Sequence, residues 1–182
     1  MKILHSDSLI LMWRLAECEA RHLSASSIEP PHLLLALCKS VDLDLPALVQ
    51  KDLPDRNEVL EELLREVRRL RTIFRTTNLD VRTFRRALRW KIYTNPNKGL
   101  EHQRLRRSIA AKRVFVDAER LAEITNSRVF PVQLLDAVLS TEDEVRDDLF
   151  IQQGVKTSHL KKIVRSEIIP SRNVNLDCHG LN

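Results

Sequence analysis

The feature that most constrains this chain is an internal repeat. Residues 28–37 read Ile-Glu-Pro-Pro-His-Leu-Leu-Leu-Ala-Leu, and residues 129–138 read Val-Phe-Pro-Val-Gln-Leu-Leu-Asp-Ala-Val. In both copies a β-branched residue precedes a proline, which suits a first helical turn because its missing N–H would have no partner there. Leu34 aligns with Leu135, so the same apolar helix face is written twice. Such repeats bury their apolar faces against one another, and the chain is predicted to fold as two related helical units.

The repeat extends upstream of these two helices. Residues 6–20 align with residues 108–122 at a constant offset. The aligned pairs are two serines, two aromatic residues and two pairs of alanines: Ser6 with Ser108, Trp13 with Phe115, Ala16 with Ala118, and Ala20 with Ala122. Serine is a preferred helix N-cap, and the small alanines allow a neighbouring helix to approach closely. Each unit is therefore predicted to begin with a serine-capped helix.

Together these residues carry a resemblance to a known family. The pattern Ala-x-x-x-Ala, a short polar loop, Ile or Val, and then Pro-His-Leu-Leu-Leu-Ala-Leu resembles the Clp N-terminal repeat, over roughly residues 6–167. The tail at 175–182 is similar to the segment that leads into the first ATPase domain of that family, with His179 in place of its aromatic residue. The resemblance implies a double four-helix module of a Clp-type unfoldase or disaggregase, with ATPase domains beyond this chain.

The expected fold is all-α, with two tandem four-helix repeats related by a pseudo-twofold axis. Residues 1–169 form the double-repeat domain: repeat one at 6–71, an inserted basic helix and loop at 72–105, and repeat two at 106–169. Residues 170–182 are predicted to be a linker toward the ATPase. A short third helix is predicted at Leu45, Leu48 and Val49. Other helices are predicted to start at the caps Asn57, Asp80 and Thr157 and at a capping box from Thr141 to Glu144, and Gly154 is predicted to end a helix.

Composition agrees with a helical domain in a reducing compartment. The 182 residues contain only three glycines, which argues against a turn-rich β sandwich. The three cysteines have no metal-ligand spacing, and reduced cysteines indicate a cytoplasmic protein. The apolar run at 9–13 is interrupted by Arg14 and Glu17 and is too short to span a membrane.

The search for catalytic chemistry gives a negative prediction. The sequence contains no Gly-x-x-x-x-Gly-Lys-Ser/Thr loop, so no ATP hydrolysis is expected from this chain. No catalytic residues, metal site or cofactor are predicted. His32 aligns with Gln133, and a shared hydrogen bond would survive that exchange whereas acid–base catalysis would not. Cys18 and Cys38 are interpreted as small buried residues.

A basic stretch at 65–91 leaves two functional classes open. The resemblance implies a module that captures unfolded or tagged protein segments, or docks an adaptor, in protein quality control. The alternative is a polyanion-binding module that uses the basic helix, with an acidic protein favoured over nucleic acid because aromatic residues for base stacking are few. Salt dependence separates the two classes, since polyanion binding weakens steeply with salt.

The candidate binding residues lie at the repeated helix starts and on the basic helix. Free backbone N–H groups at a helix start can bind an acceptor. The predicted peptide- or adaptor-binding set is Glu29, His32, Phe130, Gln133, Arg82, Arg85, Arg86 and Arg89.

Overall fold

A computed structural model describes residues 4–44, 57–93 and 105–168. These ranges contain eight helices and two very short strands. In chain order they are α1 (Asp7–His22), β1 (Ser27–Ile28), α2 (Pro30–Ser40), α3 (Asn57–Thr76), α4 (Val81–Ile92), β2 (Arg106–Arg107), α5 (Ile109–Ile124), α6 (Pro131–Leu139), α7 (Glu144–Gln152) and α8 (Thr157–Ile168). The all-α prediction is confirmed. The predicted short helix at 45–49, the linker at 170–182 and the similarity at 175–182 lie outside the described residues.

The two serines cap their helices as predicted. The Ser6 hydroxyl accepts the N–H of Leu9 at 3.1 Å, and the Ser108 hydroxyl accepts the N–H of Ala111 at 3.0 Å. The helices that begin at Pro30 and Pro131 follow in the same order in both repeats. The caps and proline starts are local signals, which is why the sequence shows them correctly.

The repeats are joined by a reciprocal exchange of backbone hydrogen bonds. The N–H of Ser6 donates to the carbonyl of Val129 at 3.1 Å, and the N–H of Ser108 donates to the carbonyl of Ile28 at 3.1 Å. The short parallel pair β1–β2 belongs to this exchange. Each repeat therefore starts beside the segment that precedes the proline-led helix of the other, an arrangement with approximate twofold symmetry.

The core lies between α2 and α6, which pack against each other. Leu34 and Leu135 are buried, as the repeat predicts. Around this centre, α1 packs on α2 and α5 packs on α6. The two proline-led helices thus lie at the centre of the fold and contact each other.

The basic helix α4 is an integral part of this arrangement. It packs on α2 in the way that α8 packs on α6, and it contacts α7 just as α8 contacts α3. Phe84 of α4 is fully buried and stacks on Phe150 of α7, with ring centroids 4.5 Å apart. Both helices follow a left-handed residue, Asn78 (φ 55°) before α4 and Gly154 (φ 72°) before α8.

The sequence predicts α4 as part of an insertion between the repeats, whereas its contacts with α2 and α7 correspond to those of α8 with α6 and α3. The two helices share few residue identities, so their equivalence is visible only in their packing. The helix itself begins as predicted, because the Asp80 carboxylate accepts the N–H groups of Arg82 and Thr83 at 3.1 Å.

Two predicted caps are wrong. Helix α8 begins at Thr157 itself, and the Thr157 hydroxyl donates to the Oδ1 atom of Asp147 at 2.9 Å, so Thr157 does not cap it. Helix α7 is capped by Asp143, whose carboxylate accepts the N–H of Arg146 at 2.9 Å, and Thr141 does not cap it. The Thr141 hydroxyl instead donates to the carbonyl of Val138 at 2.7 Å, at the end of α6. A threonine and an aspartate two residues apart both satisfy the sequence rule, and the end of the preceding helix determines which one serves.

Candidate binding groove and basic helix

A groove opens between the first turns of α1 and α5. Its volume is about 310 Å³, and its lining residues are His5, Leu9, Ile10, Trp13, Arg107 and Phe115. Leu9, Ile10 and Trp13 come from α1, Phe115 comes from α5, and Arg107 comes from β2. The groove therefore combines side chains from both repeats.

The aromatic pair in the groove is the pair that the repeat aligns. The rings of Trp13 and Phe115 meet edge to face, with centroids 5.8 Å apart. The Arg107 guanidinium lies over both rings, 5.3 Å from the centroid of Trp13 and 5.0 Å from that of Phe115. Cations are attracted to the faces of aromatic rings at such distances. Arg107 therefore places a positive charge beside an apolar surface.

The opposite end of the groove carries His5. Its ring lies 6.3 Å from that of Phe115, and its Nε2 lies 3.0 Å from the Oε1 atom of Glu119. His5 pairs with Val129, and Arg107 pairs with Ile28. The groove is thus bordered by the same backbone exchange that joins the two repeats.

Some exposed apolar residues lie at or beside the groove in the chain. Ile10, a lining residue, is 45% exposed, while Leu4 and Ile109, which flank the starts of α1 and α5, are 63% and 80% exposed. Clustered exposed apolar surface marks interaction sites in monomeric proteins. The groove, which combines residues of both repeats with these neighbours, is a candidate for contact with a protein segment.

The predicted helix-start residues His32 and Gln133 are buried and have a structural role. The Nδ1 atom of His32 accepts the N–H of Glu29 at 2.9 Å, and the Oε1 atom of Gln133 accepts the N–H of Phe130 at 3.0 Å. Burial lowers the pKa of His32, although the charges of Glu29 and Glu19 act in the opposite direction. The prediction that His32 and Gln133 make the same hydrogen bond, each within its own repeat, is confirmed.

Glu29 and Phe130 remain partly accessible. Glu29 accepts a hydrogen bond from the Ser27 hydroxyl at 2.7 Å. The Arg128 guanidinium covers the ring of Phe130 at 5.6 Å and also pairs with Glu62. Glu29 follows Ile28, which pairs with Arg107 of the groove, and Phe130 follows Val129, which pairs with His5 of the groove. Their proposed contact with a ligand stays a prediction.

The four arginines of the basic helix divide into two pairs. Arg85 forms an ion pair with Asp42 at 3.1 Å, and Arg89 binds Glu19 through two bonds of 2.8 and 2.6 Å. Arg82 and Arg86 are exposed to solvent. The sequence could place all four on one polar face, but only the structure shows that two of them bind carboxylates, the buried Glu19 and the exposed Asp42.

Glu19, the partner of Arg89, is the centre of a cluster of three charged residues. It is buried in α1 and also pairs with Lys39 at 3.0 Å. Burial alone would raise the pKa of Glu19, but hydrogen bonds and charges from Arg89 and Lys39 hold the pKa below its ordinary value. This cluster ties α1, α2 and α4 together, so Arg89 is occupied in holding the fold.

The thiols behave differently from one another. Burial raises the pKa of Cys38 to about 12, so this thiol stays protonated. Cys18 is exposed, and its assignment to the core is wrong: it lies beside the apolar stripe of α1, one residue from Glu19.

No group of three or more potential metal ligands occurs in residues 4–44, 57–93 and 105–168. No helix in these ranges has the length and hydropathy needed to cross a membrane.

Sequence reasoning did not select the groove. Trp13 and Phe115 were recognised as an aligned pair, but their helical spacing is also that of core residues. The available signal was the position of two large aromatics on the first helix of each repeat, together with exposed apolar neighbours such as Ile10. Arg107 gave no signal, because it reaches the rings only through the pairing of β2 with β1.

Comparisons with known proteins agree on the fold. No protein-family model matches the sequence, and no curated protein matches it. The structure is similar to the Hsp104 N-terminal domain from Candida albicans, with a TM-score of 0.60 and 19% identity, covering 88% of this chain and 89% of that one. It is also similar to the N-terminal domain of ClpD, a caseinolytic protease-associated chaperone from Arabidopsis thaliana, with a TM-score of 0.57, 16% identity, and 90% and 94% coverage.

A third similar structure comes from preliminary structural investigations of a malarial protein secretion system. Its TM-score is 0.64 and its identity is 15%, with 92% of this chain and 97% of that chain covered. The likenesses extend over nearly the whole chain. The protein therefore has the fold of the Clp and Hsp104 N-terminal domains, the fold that the repeated residues resemble.

Proposed function

We propose that this chain is the substrate- or adaptor-binding N-terminal module of a Clp-type ATP-dependent chaperone. The observation that carries the proposal is the groove of Trp13, Phe115, Ile10 and Arg107, on a fold shared with chaperone N-terminal domains. Capture is non-covalent, and ATP hydrolysis belongs to ring domains beyond the module. The proposed setting is protein quality control in the cytoplasm.

The groove suits an extended apolar segment. Its volume of about 310 Å³ is at the lower end of the range for small-molecule pockets, about 300–1,000 Å³, so it admits a few side chains and excludes a folded domain. Ile10 and the partly exposed Trp13 supply apolar area, Phe115 supports the indole from the core, and Arg107 supplies N–H donors for a carbonyl or carboxylate of the segment. Unfolded proteins expose such segments, and folded ones bury them.

The alternative, a general polyanion-binding surface on the basic helix, is weakened by the ion pairs. Arg85 and Arg89 already neutralise Asp42 and Glu19. Of the five cationic side chains on the basic helix, Arg82, Arg86 and Lys91 remain exposed, whereas Arg85 and Arg89 are paired.

The test is binding of a fluorescently labelled, reduced and alkylated protein that cannot refold, followed by anisotropy. Full burial of an isoleucine is worth about 1.5–3 kcal/mol, and the side chain of Ile10 is 45% exposed. Ile10→Ser should therefore cost about 0.7–1.4 kcal/mol, or roughly a three- to tenfold weaker Kd. Trp13→Ser should weaken binding at least as much.

Ile124→Ser is the matched control, because Ile124 is exposed at the far end of α5. It should bind like the wild type. Equal binding by all variants with intact helical circular dichroism would place the contact elsewhere. A Kd that rises steeply between low and moderate salt would favour polyanion binding through counterion release.

A further inference from the structure

The solvent faces of the counterpart helices α4 and α8 differ sharply. Their buried positions correspond, with Phe84 and Leu88 in α4 matching Leu160 and Val164 in α8. At the matching outer positions α4 carries Arg82, Arg86 and Trp90, whereas α8 carries Ser158, Lys162 and Ser166. The indole of Trp90 is 82% exposed. Since a serine occupies the same place in α8, the fold does not require a tryptophan there.

The outer side of α4 forms a continuous strip, here called the Trp90 face: Arg82, Arg86, Trp90 and Tyr93. Spacings of four, four and three residues place these side chains on one side of a helix. Tyr93 is half exposed at the helix C-cap. The face lies on a helix anchored beneath by Phe84 and by the ion pair between Arg89 and Glu19, so it is held rigidly.

The charge of Arg86 on this face is not paired in the described structure, whereas Arg82 lies beside the Asp80 carboxylate. Residues 81–93 contain no aspartate or glutamate. The nearby Asp80 carboxylate is engaged at the N-cap with the backbone N–H groups of Arg82 and Thr83. Arg86 forms no ion pair with any residue in the described ranges. Two guanidinium groups therefore face solvent beside an exposed indole.

The residue types match a protein partner. Tryptophan, tyrosine and arginine are the side chains that contribute most to protein–protein binding. Arginine pairs with carboxylates through two parallel hydrogen bonds. Along the helix axis Arg82, Arg86 and Trp90 are separated by about 6 Å each, while alternate side chains of an extended segment are about 6.7 Å apart. An extended segment can therefore place two carboxylates and one apolar side chain opposite these three residues.

The shape of the face argues against single-stranded nucleic acid. Proteins that bind such strands use a basic groove that follows the backbone, with aromatic side chains between which bases stack. Here the surface is the convex side of one helix, with two aromatic residues at one end. The charge and spacing thus fit an acidic protein segment better than a nucleic-acid strand.

We propose that the Trp90 face is a second docking site, separate from the groove, for an acidic protein segment that carries an apolar residue. Carboxylates of the segment bind Arg82 and Arg86, and its apolar side chain covers Trp90. The site gives the module a partner of different chemistry from the apolar segments expected in the groove.

The test uses a fluorescein-labelled peptide with two aspartates and a phenylalanine at alternate positions, followed by anisotropy at low salt with the full 182-residue chain. Trp90→Ser and Arg86→Ser should each weaken binding at least about tenfold. Lys162→Ser, at the matching position of α8, should bind like the wild type. A peptide with lysines in place of the aspartates should not bind.

Several results would overturn the proposal. These are no binding by the wild type, equal binding by Trp90→Ser and Lys162→Ser, or tighter binding of a single-stranded oligonucleotide than of the acidic peptide at the same salt. Self-association that Trp90→Ser abolishes would assign the face to a second copy of the chain. Because Trp90 and Arg86 are exposed, both variants should retain the wild-type circular dichroism and urea midpoint, so loss of binding is not loss of folding.

Discussion

Truncation of Phe84 distinguishes an integral basic helix from a peripheral one. Phe84→Ala removes a fully buried ring from α4 that stacks on Phe150 of α7 at 4.5 Å, with the ring planes 7° apart. If α4 were a surface insertion, the remaining helices would close without it and the chain would lose little stability. If α4 is the counterpart of α8, the Phe84 ring fills space between α4 and α7, and these helices cannot move together to fill the cavity that its removal leaves.

The structure supports a large effect. Truncation of a buried phenylalanine to alanine costs about 3–5 kcal/mol, because the transfer free energy and the residual cavity both contribute. The stack on Phe150 contributes about 0.5–1.5 kcal/mol that burial alone does not. Phe84→Leu should therefore cost much less than Phe84→Ala, since leucine keeps most of the apolar volume and loses only the stack.

Urea unfolding followed by far-UV circular dichroism measures the change. Phe84→Ala should lower the free energy of unfolding by about 3–5 kcal/mol with an unchanged m value. Leu160→Ala, at the matching position of α8, should cost a comparable 2–5 kcal/mol, and the exposed Arg86→Ala should stay within about 0.5 kcal/mol of the wild type. A loss below about 1 kcal/mol for Phe84→Ala, with a large loss for Leu160→Ala, would show that α4 is dispensable and that the proposed equivalence is wrong.

Two other predictions concern the repeat itself. Leu34→Ala and Leu135→Ala should each cost about 2–5 kcal/mol in the same urea assay, and losses below about 1 kcal/mol at both sites would contradict a shared core. His32→Gln, which copies Gln133, should keep the hydrogen bond to the backbone and remove a pH dependence. Because burial lowers the pKa of His32 below its ordinary 6.5, the unfolded chain takes up the proton first, and wild-type stability should fall as pH drops below about 6.5. The glutamine variant should be flatter between pH 7 and 5, and an identical slope would exclude His32 as its source.

Local signals account for what could be read from the sequence. A serine at a helix start, a proline in the first turn and an apolar stripe each act within one or two turns of chain. Ser6, Pro30 and Asp80 therefore begin helices where predicted. Repetition added long-range information, because two copies of one apolar face bury against each other's unit, and this predicted the burial of both Leu34 and Leu135.

Contacts between distant elements decided the rest. Arg85 and Arg86 are neighbours of one type in the sequence, yet Arg85 meets Asp42 and Arg86 faces solvent. The rotation of α4 on α2 determines which side chain is buried, and that rotation depends on the packing of Phe84 against Phe150 of the other repeat. The structural match between α4 and α8 is likewise carried by packing and turn geometry, which divergent side chains can share.

The groove shows the same division. That Trp13 and Phe115 occupy corresponding places was readable from the sequence, because each lies seven residues after a capping serine. That their rings meet, and that Arg107 lies over both, depends on the strand exchange that brings the start of each repeat beside the other. A residue pattern specifies which face of a helix is apolar, but whether that face is covered by the core or left open as a groove depends on where the neighbouring helices lie.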